Sequence, residues 1–380
     1  MSVFSIGEAA EPAQSAPASA GSARREDRGG LLTDVRSWPD LLVGLMAGRD
    51  MDEETAAWAM DGIMSGEVPD VTMAAFLVAH HGKGETVEEI SGLVRSMFEH
   101  AVPLPGLSHA VDIVGTGGDR ARTVNISSTA SFVIAASGQP LVKHGNRATS
   151  SASGSADVLE ELGLTLDLTP EQSGELAREV GMAFAFANVY HPSMRFIAPV
   201  RRQIAVPSAF NILGPLTNPA RTRAAAIGVA DPAMAPLMAG VLAARGDSAL
   251  VFRSRDGLDE FSTTAPTDVW EIRDGEVAPQ VVDAVDLGLP RAAKDDLRGG
   301  DPAHNARVMR ATLAGERGPV RDIVLLNAAA ALVAAAPDAE APLSERLAAA
   351  LVRAEETLDS GAAAAKLEAM IEASHRLSQS

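Results

Sequence analysis

The spacing of apolar and polar residues along the chain changes once, near residue 105. From Trp38 to Val102 the apolar positions recur with helical period. Leu41, Leu42 and Leu45 share one face, a second segment follows Asp52, and a third after Asp70 carries Met73, Phe76 and Leu77 inward. The fourth opens with Thr86-Val87-Glu88-Glu89, the spacing of a reciprocal N-terminal cap, and carries Ile90, Leu93, Val94 and Met97. Four short helices with tight turns predict a small all-α domain.

Beyond that point short apolar runs alternate with helical stretches. Runs at 111–114, 141–142, 183–186, 225–229 and 249–252 predict strands, and 128–137, 157–162 and 169–180 predict helices between them. The last of these begins Thr169-Pro170-Glu171-Gln172, a capping box with proline at the first helical position. Asp274-Gly275 marks a hairpin, and alanine-rich helices follow from about 301. The expected fold is α/β. A small all-α domain spans 31–104, joined by helices near 195–220. A larger α/β domain spans 105–380, with a mostly parallel central sheet flanked by helices. Residues 1–30, rich in Ala, Ser, Pro, Gly and Glu, are expected to form a disordered tail.

Composition narrows the function classes. The chain has 380 residues, 46% of them hydrophobic, as expected of a soluble globular protein. Its net charge of −18 repels polyanions, which argues against nucleic acid as a partner and makes any local cationic cluster informative. The basic residues are mostly arginine; the lysines are Lys83, Lys143, Lys294 and Lys366. The absence of cysteine removes disulfides, thiolate metal sites and cysteine nucleophiles, and fits a reducing compartment. No apolar run approaches the roughly 20 residues that span a bilayer, so no membrane partner is expected. The N-terminus lacks the basic start and apolar stretch of a secretory leader, and the chain reads as cytoplasmic.

Against that acidic background, residues 112–163 stand out. Gly115-Thr116-Gly117-Gly118-Asp119 leaves a predicted strand and precedes Asn125-Ile126-Ser127-Ser128 at a helix start. Small residues allow close approach of an anion, and free helix N–H groups favour it. The loop is neither a Walker A sequence nor a dinucleotide fingerprint, and a plain glycine turn would read the same way. Lys143-His144-Gly145-Asn146-Arg147 follows the next strand and leads into a Ser/Gly loop; its alternative is a solvated basic face. Asp256-Gly257-Leu258-Asp259-Glu260 ends a later strand, and adjacent carboxylates suit Mg²⁺, although acidic turns are common. His191 and Arg201, near the turn at 214–219, would clamp a small carboxylate if they converge.

In this order the motifs Gly-Thr-Gly-Gly-Asp, Lys-His-Gly-Asn-Arg, Gly-Ser-Ala-Asp, Tyr-His-Pro and Asp-Glu closely resemble the anthranilate phosphoribosyltransferase family of tryptophan biosynthesis. The resemblance covers residues 31–380. It implies a glycosyltransferase with the nucleoside phosphorylase-like phosphoribosyltransferase fold, a helical domain beside an α/β domain, and a homodimer joined through the helical domain. Gly115, Gly118, Asp119, Thr123, Asn125, Ile126, Ser127 and Ser128 would bind phosphoribosyl diphosphate. Lys143, His144, Gly145, Asn146, Arg147, Ala148, Thr149, Ser150, Ser151 and Ser155 would complete that site. Ser127, Asp259 and Glu260 would hold Mg²⁺. Gly115, Asn146 and Arg201 would contact anthranilate, with His144, His191 and Pro215 along its route. Two positions depart from the family pattern: Arg120 stands where glycine is common, and Ser128 where threonine is expected.

The implied reaction transfers phosphoribose to the amine of anthranilate and releases pyrophosphate. Its transition state is oxocarbenium-like, and the amine is neutral near pH 7, so no general base is assigned. The sequence also admits two alternatives: a pyrimidine nucleoside phosphorylase-like enzyme, and a non-catalytic relative that binds nucleic acid. A separate anthranilate synthase partner is likewise left open.

Overall fold

The computed structural model describes residues 30–148, 152–337 and 340–380. The expected tail at 1–30 therefore lies outside the described residues except for Gly30, as do Thr149, Ser150 and Ser151 of the expected phosphate site.

Seven strands form one sheet: β1 Val111–Gly115, β2 Leu141–Gly145, β3 Met182–Phe186, β4 Ala224–Gly228, β5 Ser248–Ser254, β6 Thr267–Arg273 and β7 Glu276–Val282. Their order is β3-β2-β1-β4-β5-β6-β7. The first five strands in that order are parallel, and β6 and β7 add an antiparallel hairpin. That hairpin turns at Asp274 and Gly275, both at positive φ (53° and 78°), as a two-residue type I′ turn demands. Successive connections run outward from β1 to β3 and then return to β4 on the other side. The topological switch therefore falls between β1 and β4, where open parallel sheets bind ligands at their carboxyl ends.

Side-chain alternation gives the sheet two cores. Val111, Ile113, Leu141, Phe184, Leu250 and Phe252 face helices that include Ile126–Ala136, Pro302–Leu313 and Pro319–Ala334. On the other face Ala225, Ile227, Ala249 and Val251 pack against the helix Met234–Ala244 and the helical domain. That domain holds Trp38–Met46, Glu53–Ser65, Asp70–Lys83 and Val87–Glu99. Its core is continuous with Ile197, Val200, Phe210 and Leu213 of Met194–Ile204 and Phe210–Leu216. Both predicted capping boxes form, Thr86 with Glu89 and Thr169 with Gln172.

Strand β2 runs further than its apolar pattern predicts. The apolar run predicts a strand ending at Val142, with Lys143 and His144 beyond it. Both residues instead lie inside the strand and are buried, because each backbone pairs in register with β3 (Lys143 with Phe184, His144 with Ala185). A charged side chain within a buried strand breaks the apolar pattern on which the boundary was placed.

Candidate active site

A cavity of about 290 Å³ opens at the carboxyl ends of β1 and β2. Three stretches that are distant in sequence form its wall: residues of 114–128, Lys143 with 145–148 and 153–155, and the pair Asp259-Glu260. The glycine loop leaves β1 under restraint. Thr116 donates its N–H to the Gly228 carbonyl (2.9 Å), and its Oγ1 accepts from the Ala230 N–H (3.1 Å). Gly117 and Gly118 follow at φ 71° and 90°, a region open to glycine at little cost.

Asn125 begins the helix Ile126–Ala136, but its side chain does not cap it. Its Nδ2 donates to the Ser153 carbonyl (3.2 Å), and its Oδ1 accepts from Nδ2 of Asn305 (2.8 Å). One side chain thus ties the two phosphate-type loops together. The helix N-terminus is left to other acceptors, and the Ser127 N–H donates to the Glu260 carboxylate.

The acidic pair is seated by two glycines. Gly115 and Gly228 are register partners at the ends of β1 and β4. A methyl group on Gly115 would lie 2.5 Å from Asp259 Oδ2, and one on Gly228 would lie 1.8 Å from the Asp259 carbonyl oxygen. Only glycine at both positions lets Asp259 into the sheet end, where its Oδ2 accepts from the Gly117 N–H (2.7 Å). Burial, followed by the neighbouring Asp119, pushes the Asp259 acid up to about 7. Burial and then Asp259 push Glu260 well above the usual carboxylate range. Lys143 stands opposite, its ammonium donating to the Ile113 carbonyl and to Ser127 Oγ (3.2 Å). Burial lowers its pKa, against the pull of Asp112 and Glu260. Crowded oxygen donors beside a hydroxyl form a site suited to a hard divalent cation, which would neutralise this carboxylate repulsion.

Arg147 lines the cavity, but its guanidinium is committed elsewhere. It pairs with Glu160 and Asp157 of the helix Ser155–Glu161 and lies over the Phe186 ring at 5.4 Å. Arg147, expected at the phosphate site, is thus an ion-paired side chain on the cavity wall. Gly145 leaves room for Ser155, whose Oγ would lie 2.3 Å from an added Cβ.

The opposite face of the sheet carries a second group. His144 Nδ1 donates to the Gly214 carbonyl (3.0 Å), and His191 Nε2 donates to that of Thr217 (3.0 Å). The rings sit 5.1 Å apart. Burial lowers both, His144 to about 3 with a further contribution from His191, and His191 to about 4. Both are neutral at physiological pH. Arg201 donates to Asn211 Oδ1 (3.2 Å) and lies over the Phe210 ring at 5.5 Å; burial lowers its pKa. Pro215 sits inside Phe210–Leu216, directly after the carbonyl that His144 grips.

Of the residues expected at the phosphate site, Gly115, Gly118, Asp119, Thr123, Asn125, Ile126, Ser127, Ser128, Lys143, Gly145, Asn146, Arg147, Ala148 and Ser155 line the cavity. His144 does not, because strand alternation turns it to the other face beside His191. Gly115 and Asn146, expected at the acceptor, lie on the cavity wall; His191, Arg201 and Pro215 do not line it.

Ser153 and Gly154 of the predicted Ser/Gly loop line the cavity too. Two contributors carried no signal in the sequence pattern. Arg122 lines the cavity. Buried Asp112, read as part of an apolar run, accepts from the His144 N–H (3.1 Å) and from Asn218 Nδ2 (2.9 Å). Burial pushes its acid up to about 6.

Comparison with known proteins gives a consistent picture. A family model described as "Glycosyl transferase family, a/b domain" matches residues 107–364, and one described as "Glycosyl transferase family, helical bundle domain" matches residues 39–101. The anthranilate phosphoribosyltransferase of Arthrobacter sp. (strain FB24) is 57% identical over 332 residues, covering 87% of this chain and 94% of that protein. The crystal structure of anthranilate phosphoribosyltransferase from Thermus thermophilus superposes with a TM-score of 0.83 at 39% identity, covering 88% of this chain and 99% of that one. The Saccharomyces cerevisiae enzyme in complex with PRPP and Mg superposes with a TM-score of 0.81 over 89% of this chain and 98% of that one. Its 24% identity limits that likeness to the fold.

Proposed function

The chain belongs to the anthranilate phosphoribosyltransferases, glycosyltransferases of tryptophan biosynthesis, and we propose how its residues divide the transfer of phosphoribose from phosphoribosyl diphosphate to the amine of anthranilate. The cavity at β1 and β2 takes the phosphorylated donor. Backbone N–H groups of the 115–119 loop, the start of Ile126–Ala136 and residues 145–148 and 153–155 hold its phosphates. Asp259, Glu260 and the Ser127 hydroxyl would hold Mg²⁺, a reading that draws support from the yeast relative's complex with PRPP and Mg. When bound, Mg²⁺ supplies charge neutralisation at the departing pyrophosphate.

Cleavage of the anomeric C–O bond leaves positive charge on the ribose and negative charge on the leaving group. The ammonium of Lys143, bonded to Ser127 Oγ and near enough to Glu260 to feel its charge, stabilises that negative charge. On the acceptor side, Asn146 at the end of β2, Gly115 and Arg201 orient anthranilate. Neutral His144 and His191, together with Pro215, wall its approach. The amine attacks as a free base, so no side chain here has to remove a proton before bond formation.

The observation that carries this reading is the clearance at Gly115 and Gly228, which admits Asp259 beside a phosphate-lined cavity. Mixing the protein with anthranilate, phosphoribosyl diphosphate and Mg²⁺ should quench anthranilate fluorescence. Asp259→Asn combined with Glu260→Gln should slow that decay by at least about 100-fold, in line with losses of ~3–4 kcal/mol per key oxyanion group. Near-normal turnover of the double variant at modest Mg²⁺ would overturn the metal assignment.

The same reading includes a homodimer through the helical domain. Supporting it, Val43 and Met46 on Trp38–Met46 and Val71 and Val78 on Asp70–Lys83 are exposed apolar side chains on two helices packed together. A cytoplasmic setting without nucleic-acid or membrane partners fits the net charge of −18 and the lack, among the described residues, of a helix long and apolar enough to cross a membrane.

A further inference from the structure

Among the described residues six that are not glycine adopt positive φ, and two of them, Arg120 (60°) and Arg122 (55°), fall within three positions of the cavity wall. L-residues resist this region, so a pair so close together requires a reason. The backbone is fixed from behind. The Gly299 N–H donates to the Arg122 carbonyl (2.8 Å), the Val124 N–H donates to that of Leu297 (3.0 Å), and Thr123 forms a bridge with Arg298. Gly299 itself has no room for a side chain, since an added Cβ would lie 2.5 Å from the Thr123 oxygen. From the front, Asp119 Oδ1 accepts the Ala121 N–H (3.0 Å).

The charges around the cavity point to what this conformation serves. Asp119, Asp259 and Glu260 supply three carboxylates. Lys143 is engaged with Ile113 and Ser127, and Arg147 with Glu160 and Asp157. Arg120 and Arg122 also line the cavity, and among the described residues neither has a carboxylate partner. They are the guanidiniums at this cavity not already paired with a carboxylate. They extend the loop that carries Asp119, whose carboxyl interacts with that of Asp259. They therefore stand on the metal side of the cavity.

We propose that Arg120 and Arg122 form a second cationic arm for the donor, gripping the diphosphate end rather than the 5-phosphate and acting as positioning residues for the leaving group. Planar guanidiniums suit phosphate oxygens, and the enforced left-handed turns hold both side chains toward the cavity before the ligand arrives. This inference rests on the phosphoribosyl-transfer reading above. It also gives Arg120 a role at a position where the family commonly carries glycine.

Calorimetric titration with inorganic pyrophosphate in Mg²⁺, alongside ribose 5-phosphate, tests it directly. Arg120→Gly and Arg122→Gln should each weaken pyrophosphate binding about tenfold, the scale of one charged hydrogen bond, and leave ribose 5-phosphate unchanged. In turnover each should raise the KM for phosphoribosyl diphosphate but not that for anthranilate, and Arg122→Lys should restore most of the loss. Arg120→Gly should melt no lower than the parent protein, because glycine accepts φ 60° freely. Unchanged pyrophosphate binding in both variants, or a loss confined to ribose 5-phosphate, would overturn the inference. Failure of the parent protein to bind pyrophosphate at all would instead overturn the phosphoribosyl-transfer reading.

Discussion

Lys143 and His144 are neighbours in β2, yet alternation sends one toward the cavity and the other toward His191 on the opposite face. Their ionisation has consequences for stability. His144 and His191 are held down to about 3 and about 4 in the folded protein, against about 6.5 in an unfolded chain. A group whose folded pKa is depressed favours folding above its unfolded value and loses that contribution as pH falls. Stability should therefore decline below about pH 6.5, by on the order of 2 kcal/mol per histidine by pH 5. His191→Asn should flatten the melting temperature between pH 7 and pH 5; an equally steep fall in that variant would contradict the assignment. At this scale the sequence was legible where chemistry is unusual, as for a lone lysine among glycines. It was silent on Asn125 with Asn305, because an amide pair bridging 180 positions leaves no local trace.

Elements were legible wherever local rules and tertiary packing agree. The helix Val87–Glu99 illustrates this, since its capping glutamate also anchors the helical domain. Glu89 Oε1 accepts from the Met51 N–H (2.8 Å), and Oε2 accepts from the Thr86 N–H (2.9 Å) and the Lys83 ammonium (2.7 Å). Burial raises the Glu89 acid, but His80 and Lys83 outweigh it and hold it down to about 2. Glu89→Gln keeps the shape and removes the charge, leaving Lys83, whose side chain is 2% exposed, with Asp50 as its carboxylate partner. The loss should be about 3 kcal/mol by urea denaturation, as for other broken buried pairs. A change below about 0.5 kcal/mol would show that the network is not structural. The end of β2 departs from its local pattern for the converse reason: Lys143 has a poor strand signal, and tertiary hydrogen bonds to Ile113 and Ser127 override it.

Across the whole molecule, the change of hydrophobic period near 105 was enough to separate a helical from an α/β region. The strand order was not readable, because crossover choice leaves no mark on periodicity. The proposed dimer belongs to this scale. Val43→Glu with Met46→Glu should give a monomer in light scattering with unchanged circular dichroism; a persistent dimer would place the contact elsewhere. The hairpin at the sheet margin has a different consequence. β7 is an edge strand whose side chains are mostly exposed and which carries Pro279 opposite Trp270. Proline there offers no N–H to an incoming strand, and Glu276 adds charge at the strand's start. The open margin of the sheet is thus a poor template for strand addition. If the exposed apolar helix faces carry the proposed dimer, this sheet margin keeps the chain from joining others through its strands, so assembly and aggregation would be governed by separate surfaces.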